Sequence, residues 1–399
     1  MKKTTKLAIF IASLGILPLA SQAQERDDRA TLLNFKGIQY HSKDSLFYSN
    51  FRFRMQNRVK YNQVLDGEDN AEWEARVRRL RMRMDGYIYT KKFSYSIQLA
   101  FTRGDQDYDD TGMANIVRDA VIFYNFSDDF YLSFGQNKLP GNRQRVNSSG
   151  QLQFADRSLV NSRFTIDRDF GISANLSKKL GDMPINAKAA ISTGEGRSAI
   201  SSDGGLAYTG RVEFLPLGDF TNDGDYSEGD IECEEKPKLS IGGGYSYNAN
   251  TNRLGGQTGK YVERPFTLKT AFVDAIFKYD GFAYQAEFMK RDVDNPLNTL
   301  KEGQSIAYAY KGWGLNQQTS YLINNGYEVA ARYTMVNPHK EIKAFEKKTE
   351  IMELGLTKYV KAHRLKLQLN SNYTFFDGAF NNANKNNQWG FNFQIELGI

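Results

Sequence analysis

The chain has 399 residues, with 52 Lys and Arg against 46 Asp and Glu and a formal net charge of +6. Three of those lysines, Lys2, Lys3 and Lys6, fall in the first 23 residues, so the remainder carries 49 bases against 46 acids, too even a balance for a nucleic-acid partner. The single Cys233 excludes a disulfide framework and a Cys-rich metal site, and 34 Gly, 23 Tyr and 27 Phe with only 8 Pro mark a β-rich, aromatic-rich chain.

Residues 1–23 read as an export signal: the lysines precede an apolar run from Leu7 to Ala20, and Ser21-Gln22-Ala23 is a small-x-small cleavage site. The run is shorter than the ~20 residues of a spanning helix, no later stretch is long and apolar enough to be one, and the mean hydropathy is −0.57. Residues 24–46 form a periplasmic N-terminal segment on this reading, and 47–399 a single body.

From residue 47 the dominant period is two. Apolar Phe47, Phe51, Phe53, Met55 and Val59 alternate with Arg52, Arg54, Gln56, Arg58 and Lys60, and the last segment sets Trp389, Phe391, Phe393, Ile395, Leu397 and Ile399 against Gly390, Asn392, Gln394, Glu396 and Gly398. Such runs predict strands at 47–60, 73–89, 92–102, 116–126, 129–137, 168–179, 184–193 and 205–215. The second half adds 238–248, 268–279, 281–291, 313–322, 326–336, 349–359, 362–375 and 389–399. Sixteen is an even number, and short turns alternate with long polar loops (61–72, 103–115, 138–167, 194–204, 249–267, 292–312, 337–348, 376–388) as in an up-and-down transmembrane barrel. The connection 216–237 breaks the alternation: parity makes it a short periplasmic turn, yet it is long.

A chain crossing lipid without helices must close its sheet, because no backbone group can be left unpaired there. Apolar side chains then meet lipid and polar ones a wet lumen, with aromatics such as Tyr48, Tyr87, Tyr89, Trp313, Tyr327, Tyr359 and Trp389 near strand ends as interfacial girdles. On that parity Arg79, Arg81, Arg83 and Asp85 of the second strand and Arg52, Arg54, Arg58 and Lys60 of the first face the lumen, whereas Arg76 and Arg78 have lipid-facing parity and snorkel at the outer end. A cationic wall of this kind predicts an anion path, since guanidinium forks suit phosphate and carboxylate oxygens and a low-dielectric wall focuses the field.

The segment 138–167 is too long for a plain connection and reads as a loop folded back into the pore, carrying Lys138, Arg143, Arg145 and Arg157 to its narrowest part, with Arg168 just after it. In 216–237, Asp219, Thr221, Asp223, Gly224, Asp225 and Asp230 fall at positions 1, 3, 5, 6, 7 and 12 of a calcium-loop template, with Thr at 3 and Asp at 12 departing from it. Asp219, Asp223, Asp225 and Asp230 are therefore candidate calcium ligands, beside the plain reading of a Gly/Asp-rich turn. Cys233 lies among acids and reads as an inert thiol. No Ser, His and Asp constellation emerges from His41, His339 and His363, so no enzyme is expected.

Arg78-Arg79-x-Arg81, Arg118-Asp119-Ala120 and the series Gly135…Lys138-x-Pro140-Gly141…Ser148-Ser149…Asp156-Arg157-Ser158-Leu159…Arg168-Asp169-x-Gly171 resemble the phosphate-selective porins O and P, as do Lys238-Leu239 and Trp313…Glu328-x-Ala330-Ala331-Arg332-Tyr333. The resemblance spans essentially the whole chain after residue 23. It implies a sixteen-stranded, usually trimeric porin of a Gram-negative outer membrane. It also implies an inward-folded third loop and basic ladders that conduct small anions, notably phosphate. By motif position it gives roles in the anion path to Arg79, Lys138, Arg157 and Arg168, and to Arg58. The sequence departs from the pattern in the acids Asp85, Asp274, Glu287, Glu353 and Glu396 at lumen parity and in a final Ile399 where many such barrels end on an aromatic. A general small-solute porin and a plugged structural or secretion-associated barrel are the alternative readings.

Overall fold

The computed structural model describes residues 37–65, 71–105, 107–108, 114–199, 205–301, 305–377 and 386–399. The export-signal reading of residues 1–23 and most of 24–46 lie outside them.

Sixteen antiparallel strands form the wall. In chain order they are β1 (Phe47–Val64), β2 (Ala71–Ile88), β3 (Thr90–Ala100), β4 (Val117–Asn125), β5 (Phe130–Lys138), β6 (Arg168–Leu180), β7 (Met183–Ser192) and β8 (Ala207–Phe214). Then follow β9 (Lys238–Arg253), β10 (Tyr261–Tyr279), β11 (Phe282–Val293), β12 (Gly312–Ile323), β13 (Tyr327–Pro338), β14 (Thr349–Lys361), β15 (Leu365–Phe376) and β16 (Gln388–Gly398). Each pairs with its sequence neighbours, and β16 closes on β1 from Arg54 opposite Gly398 to Val64 opposite Gln388. The closure leaves the barrel no free first and last strand, which is what lets the sheet stand in lipid.

The alternation sorts the faces as expected. Ile122, Phe134, Val273 and Leu354 project outward and exposed, while Gln56, Arg58, Glu213, Asp274, Asn316, Lys366 and Glu396 are buried inside. A water-soluble sandwich would bury the opposite set. Short periplasmic hairpins use residues that tolerate positive φ: Asp280-Gly281 (46° and 79°) and Asn325-Gly326 (67° and 72°).

Three features differ from the sequence pattern. A short strand, Ile38–His41, pairs with Tyr48–Phe51 on the edge of β1 that β16 leaves open below Arg54, so the sheet begins at Ile38 rather than Phe47. β9 and β10 run on to Arg253 and from Tyr261, so much of the long loop read at 249–267 is strand. The third is inside the barrel. Loop 138–167 folds back into the lumen through two short helices, α1 (Arg143–Val146) and α2 (Leu159–Phe164). Val160, Phe164 and Ile166 pack on lumen-facing Phe272, Met289 and Val336 as a dry core. Where α2 packs, these inward positions are apolar because a helix, not water, covers them.

Candidate functional site

The two strands richest in arginine stand side by side, and their register sets Arg52 opposite Arg83, Arg54 opposite Arg81 and Gln56 opposite Arg79. Directly opposed like charges repel, so each rung carries a counter-ion. Asp85 takes both Arg52 and Arg83 at 2.5 Å. Arg81 makes a two-pronged contact with Asp105 (2.5 and 2.7 Å), and Asp156 bonds Arg58 and sits 3.4 and 3.7 Å from Arg78 and Arg79. Burial alone would raise these two loop carboxyls. Arg81, Arg118 and Arg79 around Asp105, and Arg58, Arg78 and Arg79 around Asp156, hold both well below the usual carboxylate range.

Arg76 and Arg78 correct the sequence reading. The pairing steps from Gln56 opposite Arg79 to Asn57 opposite Val77, which leaves Arg78 as the extra residue of a β-bulge. Beyond it the parity of β2 inverts: Trp73 and Val77 are exposed outward, while Arg76 stands opposite Arg58 and pairs with Glu74. Both arginines therefore join the lumen set instead of snorkelling.

Loop three decides which part of the lumen is filled. Its residues reach nearly around the wall. Asn142 donates to Glu287 (3.1 Å), Gln153 to Glu328 (2.7 Å), and the carbonyls of Gly150 and Leu152 accept from Lys366 (3.0 and 2.7 Å). The apolar core of α2 fills the same side. What the loop leaves against β2–β6 is a cleft of about 150 Å3 lined by Arg81, Arg83, Arg118, Lys138, Arg145, Arg157 and Arg168, with Asp119 as its acid. Arg81, Arg83 and Ser148 also line a wider vestibule of about 710 Å3 that includes Arg52, Arg54 and the chain end at Ile399, on the periplasmic side.

Within the cleft the cations differ in how far they are neutralised. Arg168 forks onto Asp119 (2.7 and 3.1 Å) and Arg145 onto Asp167. Lys138 and Arg157 have no carboxylate at ion-pair distance among the described residues. Lys138 donates to the carbonyls of Val146 (2.8 Å) and Asn147 (3.2 Å), and Arg157 to those of Asn147 (2.9 Å) and Gln144, so both cap the end of α1. The Ser149 hydroxyl accepts from Arg54 (2.6 Å) and Arg81 (2.8 Å), which leaves its proton to donate into the cleft. Burial and the neighbouring Arg157, Arg168, Arg118 and Arg81 push the Arg145 guanidinium well below its ordinary value, and burial with Arg168 and Arg54 brings Arg157 to about 10. Groups so crowded by like charge are relieved by an anion.

Arg143 lies apart from this set. Fully buried, it bonds Asp274 (2.8 Å), Ser240 (2.9 Å) and the Asp225 carbonyl (3.1 Å) and sits 3.2 Å from Glu213, so it rivets α1 to the far wall. Arg118, Arg78 and the counter-ions Asp105 and Asp156 escape a parity reading, since the bulge and the loop fold place them. The candidate calcium ligands do not converge, and no group of three or more such ligands occurs among the described residues. Asp219 is exposed beside Lys179, Asp225 faces Arg143, and Asp230 accepts the Gly281 and Glu234 amides. These three acids each have a partner other than a metal.

The sequence profile described as "Phosphate-selective porin O and P" matches residues 50–388. An uncharacterized protein of Aquifex aeolicus (strain VF5) is 24% identical over 363 residues, 79% of this chain and 80% of that one. Among solved structures, the anion-selective porin from Comamonas acidovorans superposes with a TM-score of 0.55 at 11% identity, covering 88% of this chain and 99% of its own. OmpT, an outer membrane protein of Vibrio cholerae in its trimer form, gives 0.51 at 10% identity over 88% and 99%. At those identities the likeness is one of fold.

Proposed function

This chain belongs to the phosphate-selective porin O and P family of outer-membrane porins, and we propose that the solutes it passes are small anions, phosphate among them, diffusing through the cleft between loop three and β2–β6. The observation that carries this is where the opening lies: the loop fills the far side of the lumen, and the cleft it leaves holds seven cations against one carboxylate. Lys138 and Arg157, capping carbonyls alone, and the Ser149 proton supply the donors that a tetrahedral oxyanion takes up. The path then steps down the rungs of Arg81, Arg83, Arg54 and Arg52 into the vestibule.

On this reading residues 1–23 are the export signal and the working unit is a homotrimer, the form in which OmpT of Vibrio cholerae, a structural neighbour, is also found. Intact trimer and monomer are separable by mass in detergent.

Reversal potential across planar bilayers under a salt gradient tests the anion path. Wild type is expected to favour anions. The R83Q/K138Q pair removes two cleft charges and should lower the anion-to-cation ratio by about threefold to tenfold. Millimolar phosphate should also block chloride current in wild type and do so more weakly in the variant. An unchanged reversal potential in a correctly folded variant would sink the anion-path reading.

A further inference from the structure

The long connection after β8, residues 215–237, does not stay in the periplasm. Leu215 and Phe220 pack on lumen-facing Ile276, and Glu234 binds Thr221 through its amide (2.7 Å) and hydroxyl (3.0 Å). Asp230 accepts from the Gly281 amide at 2.8 Å, tying the segment to the β10–β11 turn. So held, it carries Glu228 up to loop three.

Glu228 is fully buried there. Its amide donates to the Gln151 carbonyl (2.9 Å), and its carboxylate accepts from the Gln153 amide (3.0 Å) and the Gln144 side chain (3.2 Å). The next residue, Gly229, adopts φ +74°, and a Cβ there would stand 2.4 Å from a Glu328 oxygen, so only glycine allows the approach. Gln144 in turn receives Ser158 on its side-chain oxygen (2.6 Å) and Arg157 on its carbonyl. The connection thus ends one residue away from a cation of the cleft.

We propose that residues 215–237 form a periplasm-side strut in which Glu228 is a positioning residue: through Gln144 and Gln153 it holds loop three against the far wall and keeps the cleft open. The strut rests on the cleft being the conducting path. Without the carboxylate, two donors of the loop, the Gln153 amide and the Gln144 side chain, lose their acceptor or its charge, and the loop gains access to displaced states that intrude on the cleft.

Single-channel recording of E228A in the full-length porin tests it, with heat-modifiable migration in detergent gels certifying the folded barrel. The expected record shows brief closures and time in closed or reduced levels raised about tenfold. Q144A should produce part of the same effect, and E228A/Q144A should add little to E228A alone, as for residues acting in one chain. Steady wild-type openings from folded E228A, or full additivity with Q144A, would overturn the proposal. Should E228A not fold, E228Q carries the test: it keeps one acceptor, so it should flicker less than E228A but above wild type, and steady openings would count against the strut. Flickering channels without anion preference would instead fault the anion path and leave the strut standing, since closures and reversal potential are separate readouts.

Discussion

At the scale of single residues, arginines that look alike in the sequence have two different duties. Arg157 faces the cleft with only carbonyl partners, whereas Arg143, fourteen residues earlier, is locked among Asp274, Glu213 and Asp225. Removing one member of a buried charge cluster leaves the others uncompensated, at a cost of about 3–5 kcal/mol. R143M should therefore lower the temperature at which the barrel loses its compact gel form while the open channel keeps its ion preference. A large shift in reversal potential would show instead that Arg143 is part of the path. Parity made Arg79, Arg81 and Arg83 legible because strand geometry repeats every two residues. It failed at Arg78, where one inserted residue inverts every position beyond it, and at Arg143, whose partners lie on β8 and β10, distant in sequence.

At the scale of elements, all sixteen strands were legible, since each must show lipid a greasy face. What fills the lumen was not. Inward Leu268, Phe272 and Met289 put apolar side chains among the polar ones on the lumen face of β10 and β11, a pattern that signals a partly covered surface without saying what covers it. The length of 216–237 marked it as unusual, but its Asp and Gly spacing suited a metal loop as well as a strut. Its charges predict a pH response. Burial, with Glu213 adding repulsion and Arg143 and Lys188 opposing, raises Asp225 from 3.8 to about 6. The docked segment thus prefers the neutral acid: docking is favoured below about pH 4, weakens as pH rises toward 6, and stays flat above, by at most about 3 kcal/mol. Around the carboxyl, with its own neighbour Tyr226, Arg143 of loop three and Lys188 of β7 limit that swing, while Glu213 of β8 enlarges it. Closures should be more frequent at pH 7.5 than at pH 5, and D225N should abolish the difference. A pH response surviving in D225N would assign it elsewhere.

At the scale of the whole molecule, a sixteen-stranded wall encloses far more space than the solute is given, and the channel becomes selective by filling that space unevenly. Sixteen strands left empty form a wide aqueous channel, in which most ions would pass farther from the wall than the screening length of ~8 Å at physiological salt. On the proposed path the inward loop brings a solute within contact of Arg81, Arg83, Lys138 and Arg157, which line the cleft. Replacing residues 140–165 by a short Gly/Ser link should leave the barrel able to form, since its closure rests on strand pairing from β1 to β16. Conductance should then rise severalfold and anion preference fall, even though the rungs of β1 and β2 are untouched and Arg58, Arg78 and Arg79 lose the neutralising Asp156. That pairing of outcomes is diagnostic: wall charge alone predicts a stronger preference in the variant, confinement a weaker one. Reversal potential recorded at two salt concentrations separates them, because a preference due to the wall recovers at low salt as the screening length grows, while one due to contact inside the cleft does not return.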